Sequence, residues 1–108
     1  MSEFIPVGPI TDFADPSSTL VEVDDESVAL IHAAGSFYAL DDVCTHDGGP
    51  LSDGPLHEDE NPPAIACPRH GAKFALTTGA ALTMPATQPT RVHEVKVEDG
   101  QVLVKLTV

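Results

Sequence analysis

The sequence has few basic residues, two cysteines and no long apolar run. Its 108 residues contain 5 lysines and arginines against 17 aspartates and glutamates, a formal net charge of −12. A surface this acidic repels phosphate groups, which argues against nucleic acid or anionic lipid as a partner and favours a basic protein surface. No stretch approaches the ~18 apolar residues of a membrane span. A Gly-rich phosphate-binding motif is also missing, so we expect no binding of flavin or nicotinamide in the usual way.

The amino terminus and the cysteine content bear on the cellular compartment. Residues 1–6 lack the basic and apolar segments of a secretion signal, and the two arginines, Arg69 and Arg91, are not adjacent as a twin-arginine signal requires. Two cysteines, Cys44 and Cys67, are too few for a disulfide framework. We therefore expect a cytoplasmic protein.

The chain length predicts a single domain, and its pattern predicts an all-β fold. The 10 prolines and 8 glycines leave no long amphipathic helical window. Strand patterns cover residues 19–23, a hairpin at 28–32 and 37–40, and a C-terminal hairpin around Asp99-Gly100. Residues 41–63 are instead rich in Gly, Pro and Asp and are predicted to form a long loop. Such a loop in a small domain is usually functional.

Two short motifs flank most of this loop, Cys44-Thr45-His46 and Cys67-Pro68-Arg69-His70. Each motif offers one thiolate and one imidazole. Each also follows a short apolar strand, predicted at residues 37–43 before the first motif and at residues 64–66 before the second. Two sulfur and two nitrogen donors suit either a tetrahedral zinc ion or an iron–sulfur cluster with mixed ligands. Zinc fingers usually place both cysteines in one knuckle, whereas a binuclear cluster can take two cysteines on one iron and two histidines on the other. The mixed motifs favour the cluster.

The chain resembles the small Rieske-type ferredoxins, soluble [2Fe–2S] carriers that serve bacterial ring-hydroxylating oxygenases. Besides the two motifs, the resemblance rests on Gly71, Phe74, Thr78-Gly79 and the terminal hairpin. It implies a Rieske-type antiparallel β-sandwich or barrel, with residues 1–108 as one domain and a cluster-binding subdomain at about 43–76. In the resembling ferredoxins a third, proline-containing loop covers the cluster, and residues 84–87 with Pro89 occupy the corresponding place.

The resemblance also implies the role of each ligand. Cys44 and Cys67 would bind the inner iron, and His46 and His70 the outer, more exposed iron of one [2Fe–2S] cluster per chain. We expect no catalytic residues. The remaining histidines, His32, His57 and His93, have no cysteine at ligand spacing and are interpreted as structural or surface residues.

Two positions after the second motif bear on the reduction potential. High-potential respiratory Rieske proteins carry an extra disulfide, together with a serine and a tyrosine that donate hydrogen bonds to the cluster. This sequence has Ala72 and Phe74 where those hydroxyl donors are expected, and no further cysteines. The potential is therefore predicted near the low end of the Rieske range of about −150 to +300 mV.

The resemblance implies a monomeric one-electron carrier rather than an enzyme. It would take electrons from a flavin-dependent reductase and pass them to a terminal aromatic-ring oxygenase. Two alternatives stay open from the sequence. One is the Rieske-like small subunit of an assimilatory nitrite reductase, and the other is a zinc-stabilised interaction module without a redox role.

Overall fold

A computed structural model describes residues 3–43, 49–68, 71–84 and 86–107. In these residues the prediction of an all-β fold is confirmed. The strands are β1 (Ile5–Pro9), β2 (Ser17–Val23), β3 (Glu26–Ala33), β4 (Ser36–Asp41), β5 (Leu56–His57), β6 (Ala64–Ala66), β7 (Lys73–Ala75), β8 (Val92–Glu98) and β9 (Gln101–Lys105). Two short 3₁₀ helices accompany them, η1 (Ile10–Asp12) and η2 (Leu51–Asp53). None of the helices in the described ranges is long and apolar enough to cross a membrane.

Six strands form one antiparallel sheet in the order β1-β9-β8-β4-β3-β2. Its two edge strands, β1 and β2, approach each other, so the sheet curves into a nearly closed barrel. Three of its connections are two-residue turns in which both residues have positive φ, the conformation that matches the twist of a hairpin. These turns are Asp24-Asp25, Ala34-Gly35 and Asp99-Gly100. The predicted Asp-Gly turn is thus confirmed.

The barrel interior is apolar. Its buried members are Phe13, Val23, Val28, Leu30, Ala39, Val102 and Val104. The central strand β3 is buried on both faces, because residues 28–31 are all at most 1% exposed. This double burial explains why β3 reads as a continuous apolar run rather than an alternating one.

The other three strands form a small antiparallel sheet in the order β5-β6-β7. Ile65 of β6 and Leu76, the residue after β7, pack against Ile31 and Leu40. Their neighbours Leu30 and Ala39 belong to the barrel interior. The small sheet therefore rests on the outer face of the β3–β4 hairpin.

The middle of the chain is more ordered than the sequence predicts. Residues 41–63 were expected to be a loop, but they contain η2 and the short strand β5. The strand before the first motif ends at Asp41 rather than Val43. The reason is tertiary: Leu51 is fully buried, and β5 gains a partner in β6, an interaction between segments that a local pattern does not reveal.

We predict that Gly79→Ala destabilises the protein more than Gly100→Ala does. Both glycines have nearly the same positive φ, +76° and +77°. A Cβ at Gly79 would lie 2.1 Å from the carbonyl oxygen of Thr90, whereas nothing lies within 4 Å of one at Gly100. The expected loss is about 1–2 kcal/mol at position 100, from backbone strain alone, and roughly 3 kcal/mol or more at position 79.

Urea unfolding of the two variants and the wild type measures this difference. Equal losses of unfolding free energy would show that the close approach of Gly79 to Thr90 contributes nothing.

Candidate metal centre

Of the four predicted ligands, the structure describes one, Cys67. Cys44, His46 and His70 lie outside the described residues. Cys67 is described, and it directly follows β6 with 1% of its surface exposed. The geometry of the candidate site is therefore that of Cys67 and of the segments next to the other three ligands.

Two backbone hydrogen bonds close the segment that carries the second motif. The Cys67 N–H donates to the carbonyl of Ala72 over 2.7 Å, and the Gly71 N–H donates to the carbonyl of Cys67 over 3.0 Å. Ala72 leads directly into β7. The motif from Cys67 to His70 thus connects two paired strands, which fixes both of its ends.

A layer of apolar side chains surrounds Cys67. Its buried members are Leu51, Ala72, Phe74 and Ala86. Leu51 begins η2, the first element after the first motif, and Ala86 belongs to the third segment that the resemblance had placed at the cluster. Three separate parts of the chain therefore meet at Cys67, and the expectation that residues 84–87 approach the site is supported by Ala86.

The third segment also brings an exposed apolar side chain to this end of the molecule. Ala81 pairs with Phe74, the Leu82 N–H donates to the carbonyl of Lys73 over 2.8 Å, and the Lys73 N–H donates to Thr83 Oγ1 over 2.9 Å. The segment consequently runs antiparallel to β7, toward Gly71. Met84, one residue further on, is 76% exposed.

Lys73, the described basic residue closest in sequence to the second motif, forms an ion pair. Lys73 Nζ lies 2.7 and 3.0 Å from the carboxylate oxygens of Glu60, and His57 Nδ1 lies 3.3 Å from the same carboxylate. The hydrogen bond from Lys73 lowers the pKa of Glu60, the charges of Lys73 and His57 act in the same direction, and desolvation opposes them. Because its charge is paired with that of Glu60, Lys73 does not provide an unpaired positive charge beside the second motif.

A partly buried polar network holds the end of β4, three residues before Cys44. His93, whose side chain is fully buried, accepts a hydrogen bond at Nδ1 from the Thr107 N–H over 3.0 Å. Its Nε2 therefore carries the hydrogen and donates to Asp41 over 2.8 Å. Arg91 also donates to Asp41, over 3.1 to 3.3 Å, and pairs with Glu26.

This network has two consequences. The hydrogen bond with Asp41 is the largest cause that raises the pKa of Arg91, and the carboxylate of Glu26 adds to it. The position of His93 agrees with its interpretation as a structural residue. Sequence reasoning missed the network because Asp41 and Arg91 are 50 residues apart, and no local pattern links them.

The donor set fits a binuclear iron–sulfur cluster. Two thiolates and two neutral imidazoles balance the charge of two ferric ions and two sulfides, so the oxidised cluster would be neutral. The buried setting of Cys67 suits the less exposed iron. Ala72 and Phe74, both buried in the layer with Cys67, supply no hydroxyl donor, and the low reduction potential stays a prediction.

We predict that Lys73→Met raises the pKa of Glu60 to the ordinary range of a glutamate. A carboxylate with a lowered pKa stabilises the fold above its unfolded-state pKa, and this contribution is lost as the pH falls through the lowered value. NMR titration of the Glu60 carboxyl carbon measures the change. Lys96→Met, which removes a lysine paired with Glu98, is the matched control and leaves Glu60 unaffected. An unchanged pKa of Glu60 in Lys73→Met would contradict the assignment of the cause.

Comparison with known proteins identifies the family. The sequence model of the Rieske-like [2Fe–2S] domain family matches residues 3–105 of this chain. The ferredoxin subunit of 3-phenylpropionate/cinnamic acid dioxygenase from Escherichia coli (strain K12) is 37% identical over 99 residues, which cover 91% of this chain and 89% of that protein.

Solved structures agree with this match. The ferredoxin of carbazole 1,9a-dioxygenase from Nocardioides aromaticivorans IC177 superposes with a TM-score of 0.88 at 28% identity, covering 94% of this chain and 95% of that chain. A structure of a complex of reduced oxygenase and oxidised ferredoxin in carbazole 1,9a-dioxygenase contains a chain that matches with a TM-score of 0.83 at 34% identity, covering 94% and 91%. The chain belongs to the Rieske-like [2Fe–2S] family, and its cofactor is one [2Fe–2S] cluster.

Proposed function

We propose that this protein is the ferredoxin of a ring-hydroxylating oxygenase system. It takes single electrons from a flavin-dependent reductase and passes them to a terminal oxygenase. The observation that carries the proposal is the match to a dioxygenase ferredoxin subunit over about nine tenths of both chains. The chain is then a carrier rather than an enzyme, and the [2Fe–2S] cluster supplies reversible one-electron transfer when bound.

The proposal assigns the ligands as the motifs predict. Cys44 and Cys67 hold the inner iron, and His46 and His70 hold the outer one. The burial of Cys67 supports its assignment to the inner iron. Pro68 and Gly71, which flank residues 69–70 of the second motif, are exposed, and this supports the assignment of His70 to the outer, more exposed iron. We also assign residues 1–108 to one domain, with the cluster-binding subdomain at about 43–76.

The same end of the molecule is the proposed contact surface for both redox partners. Met84 is 76% exposed beside the second motif, and Leu82 of the same segment is 40% exposed. The formal net charge of −12 favours partners with basic surfaces. The protein would act as a monomer, because a carrier must bind two partners in turn. We place it in the cytoplasm.

The two alternatives are less supported. Two structures described as small subunits of nitrite reductases share the fold at 23% and 21% identity, which shows the fold alone. The zinc-stabilised module is disfavoured by the match to a [2Fe–2S] family over residues 3–105. No observation on the described residues favours either alternative.

We predict that the dithionite-reduced protein gives a rhombic electron paramagnetic resonance signal whose average g-value is lower than that of all-cysteine clusters. His70→Ala abolishes this signal, because it removes an imidazole from the outer iron. His57→Ala, which removes a half-buried histidine of β5, keeps the signal and serves as the control. A wild-type signal that persists in His70→Ala would refute the ligand assignment. A colourless, zinc-loaded wild type would refute the function.

We predict that electron transfer to the oxygenase slows as salt is added. Screening shortens the reach of charge interactions from about 10 Å at 0.1 M salt to about 3 Å at 1 M, and steered association loses roughly tenfold or more in rate over such a range. Stopped-flow measurement of the second-order rate constant at increasing salt tests this. A rate that does not depend on ionic strength would show that the acidic surface has no part in docking.

A further inference from the structure

The segment that carries Cys44 and His46 begins and ends at a pair of hydrogen-bonded residues. The Asp42 carboxylate accepts a hydrogen bond from the Ser52 N–H over 2.6 Å and a second from Ser52 Oγ over 3.0 Å. Asp42 lies immediately after β4, and Ser52 is the middle residue of η2, ten residues later in the chain. The Asp42–Ser52 pair thus joins the two ends of this segment.

Asp42 is itself held by the barrel. Its backbone N–H donates to the carbonyl of Ser27 in β3 over 3.1 Å. Both Asp42 and Ser52 are partly buried, which reduces the competition of water for their hydrogen bonds. A carboxylate that receives two donors from one residue also fixes the orientation of that residue, here the first turn of η2.

The other side of η2 contacts the strand that leads to Cys67. The Gly54 N–H closes η2 by donating to the carbonyl of Leu51 over 2.9 Å, and the Ala66 N–H donates to the carbonyl of Pro55 over 3.0 Å. A Cβ at Gly54 would lie 1.7 Å from the carbonyl oxygen of Ala66. Because Gly54 has no side chain, the chain after η2 can rest directly on the residue before Cys67.

We propose that Asp42, Ser52 and Gly54 are positioning residues for the cluster. Through η2 they set the separation between the segment with Cys44 and His46 and the segment with Cys67 and His70, without contacting the cluster. This inference rests on the proposed function and its ligand assignment. It predicts that loss of the Asp42–Ser52 pair alters how the cluster is held while leaving the fold of the barrel intact.

A series of variants separates position from charge. Asp42→Ala removes both hydrogen bonds, and Ser52→Ala removes one without a change of charge. Asp42→Asn keeps both contacts, because its oxygen accepts from the Ser52 N–H and its NH₂ group donates to Ser52 Oγ. Asp53→Ala, which removes an exposed carboxylate from the same turn, is the matched control for charge.

The measurements are made on the cluster-loaded protein. They are the rate of cluster release to a ferrous chelator, followed by visible absorbance, the electron paramagnetic resonance spectrum of the reduced state, and the thermal midpoint of the same cluster-loaded protein. We expect cluster release to be roughly tenfold faster in Asp42→Ala, as the loss of a charge-assisted hydrogen bond implies, and its g-values to shift or broaden. Ser52→Ala is intermediate, and Asp42→Asn and Asp53→Ala resemble the wild type.

Several results would overturn the inference. They are equal release rates in all variants, a change in Asp53→Ala as large as that in Asp42→Ala, or a lower thermal midpoint with an unchanged spectrum, which indicates a merely structural role. If Asp42→Ala does not fold, Ser52→Ala and Gly54→Ala decide, because both are expected to speed release. A wild type without the mixed-ligand signal overturns the proposed function as well, whereas a wild-type signal that the variants fully retain overturns only this inference.

Discussion

The burial of the β3–β4 hairpin on both faces is the constraint on which the rest of the structure depends. One face supplies Leu30 and Ala39 to the barrel interior, and the other supplies Ile31 and Leu40 to the contact with the small sheet. Each fully buried Leu or Ile contributes about 1.5–3 kcal/mol through the hydrophobic effect. The hairpin therefore determines where the small sheet sits, and the small sheet determines where Cys67 sits. Apolar burial thus sets the approximate position of Cys67, and polar contacts determine its final geometry.

The ion pairs explain how so acidic a chain presents its charge. In the described ranges every lysine and arginine lies within ion-pair distance of a carboxylate: Lys73 with Glu60, Arg91 with Asp41 and Glu26, Lys96 with Glu98, and Lys105 with Glu94. The exposed pairs among them, Lys96 with Glu98 and Lys105 with Glu94, add little stability. The effect of the ion pairs is on the electrostatic field. Each described basic residue is paired with a nearby carboxylate, so the excess of acidic groups sets the sign of the field around the protein. Long-range attraction to a basic partner follows from that excess.

Local sequence patterns predicted the parts of the structure that local forces determine. The Asp99-Gly100 turn has its positive φ values because of its own residue types, and the paired Cys and His motifs were sufficient to indicate the kind of metal site. The prediction of residues 41–63 as a loop was wrong where packing decides, since η2 exists because Leu51 is buried beside Cys67. The contacts of Asp41 with His93 and of Asp42 with Ser52 join residues that are distant in sequence, so only the folded chain reveals them.

The proposed contact surface combines two features that suit a carrier with two partners. Steering by charge raises the rate of association without adding much affinity, so a complex that forms quickly also separates quickly. Met84 adds an apolar contact that is small and flexible, and an unbranched thioether side chain adapts to differently shaped surfaces. A rigid aromatic side chain at this position would favour one partner over the other. An exposed methionine on a segment held to β7 by backbone hydrogen bonds is suited instead to a surface that, under the proposed function, contacts two different partners in alternation.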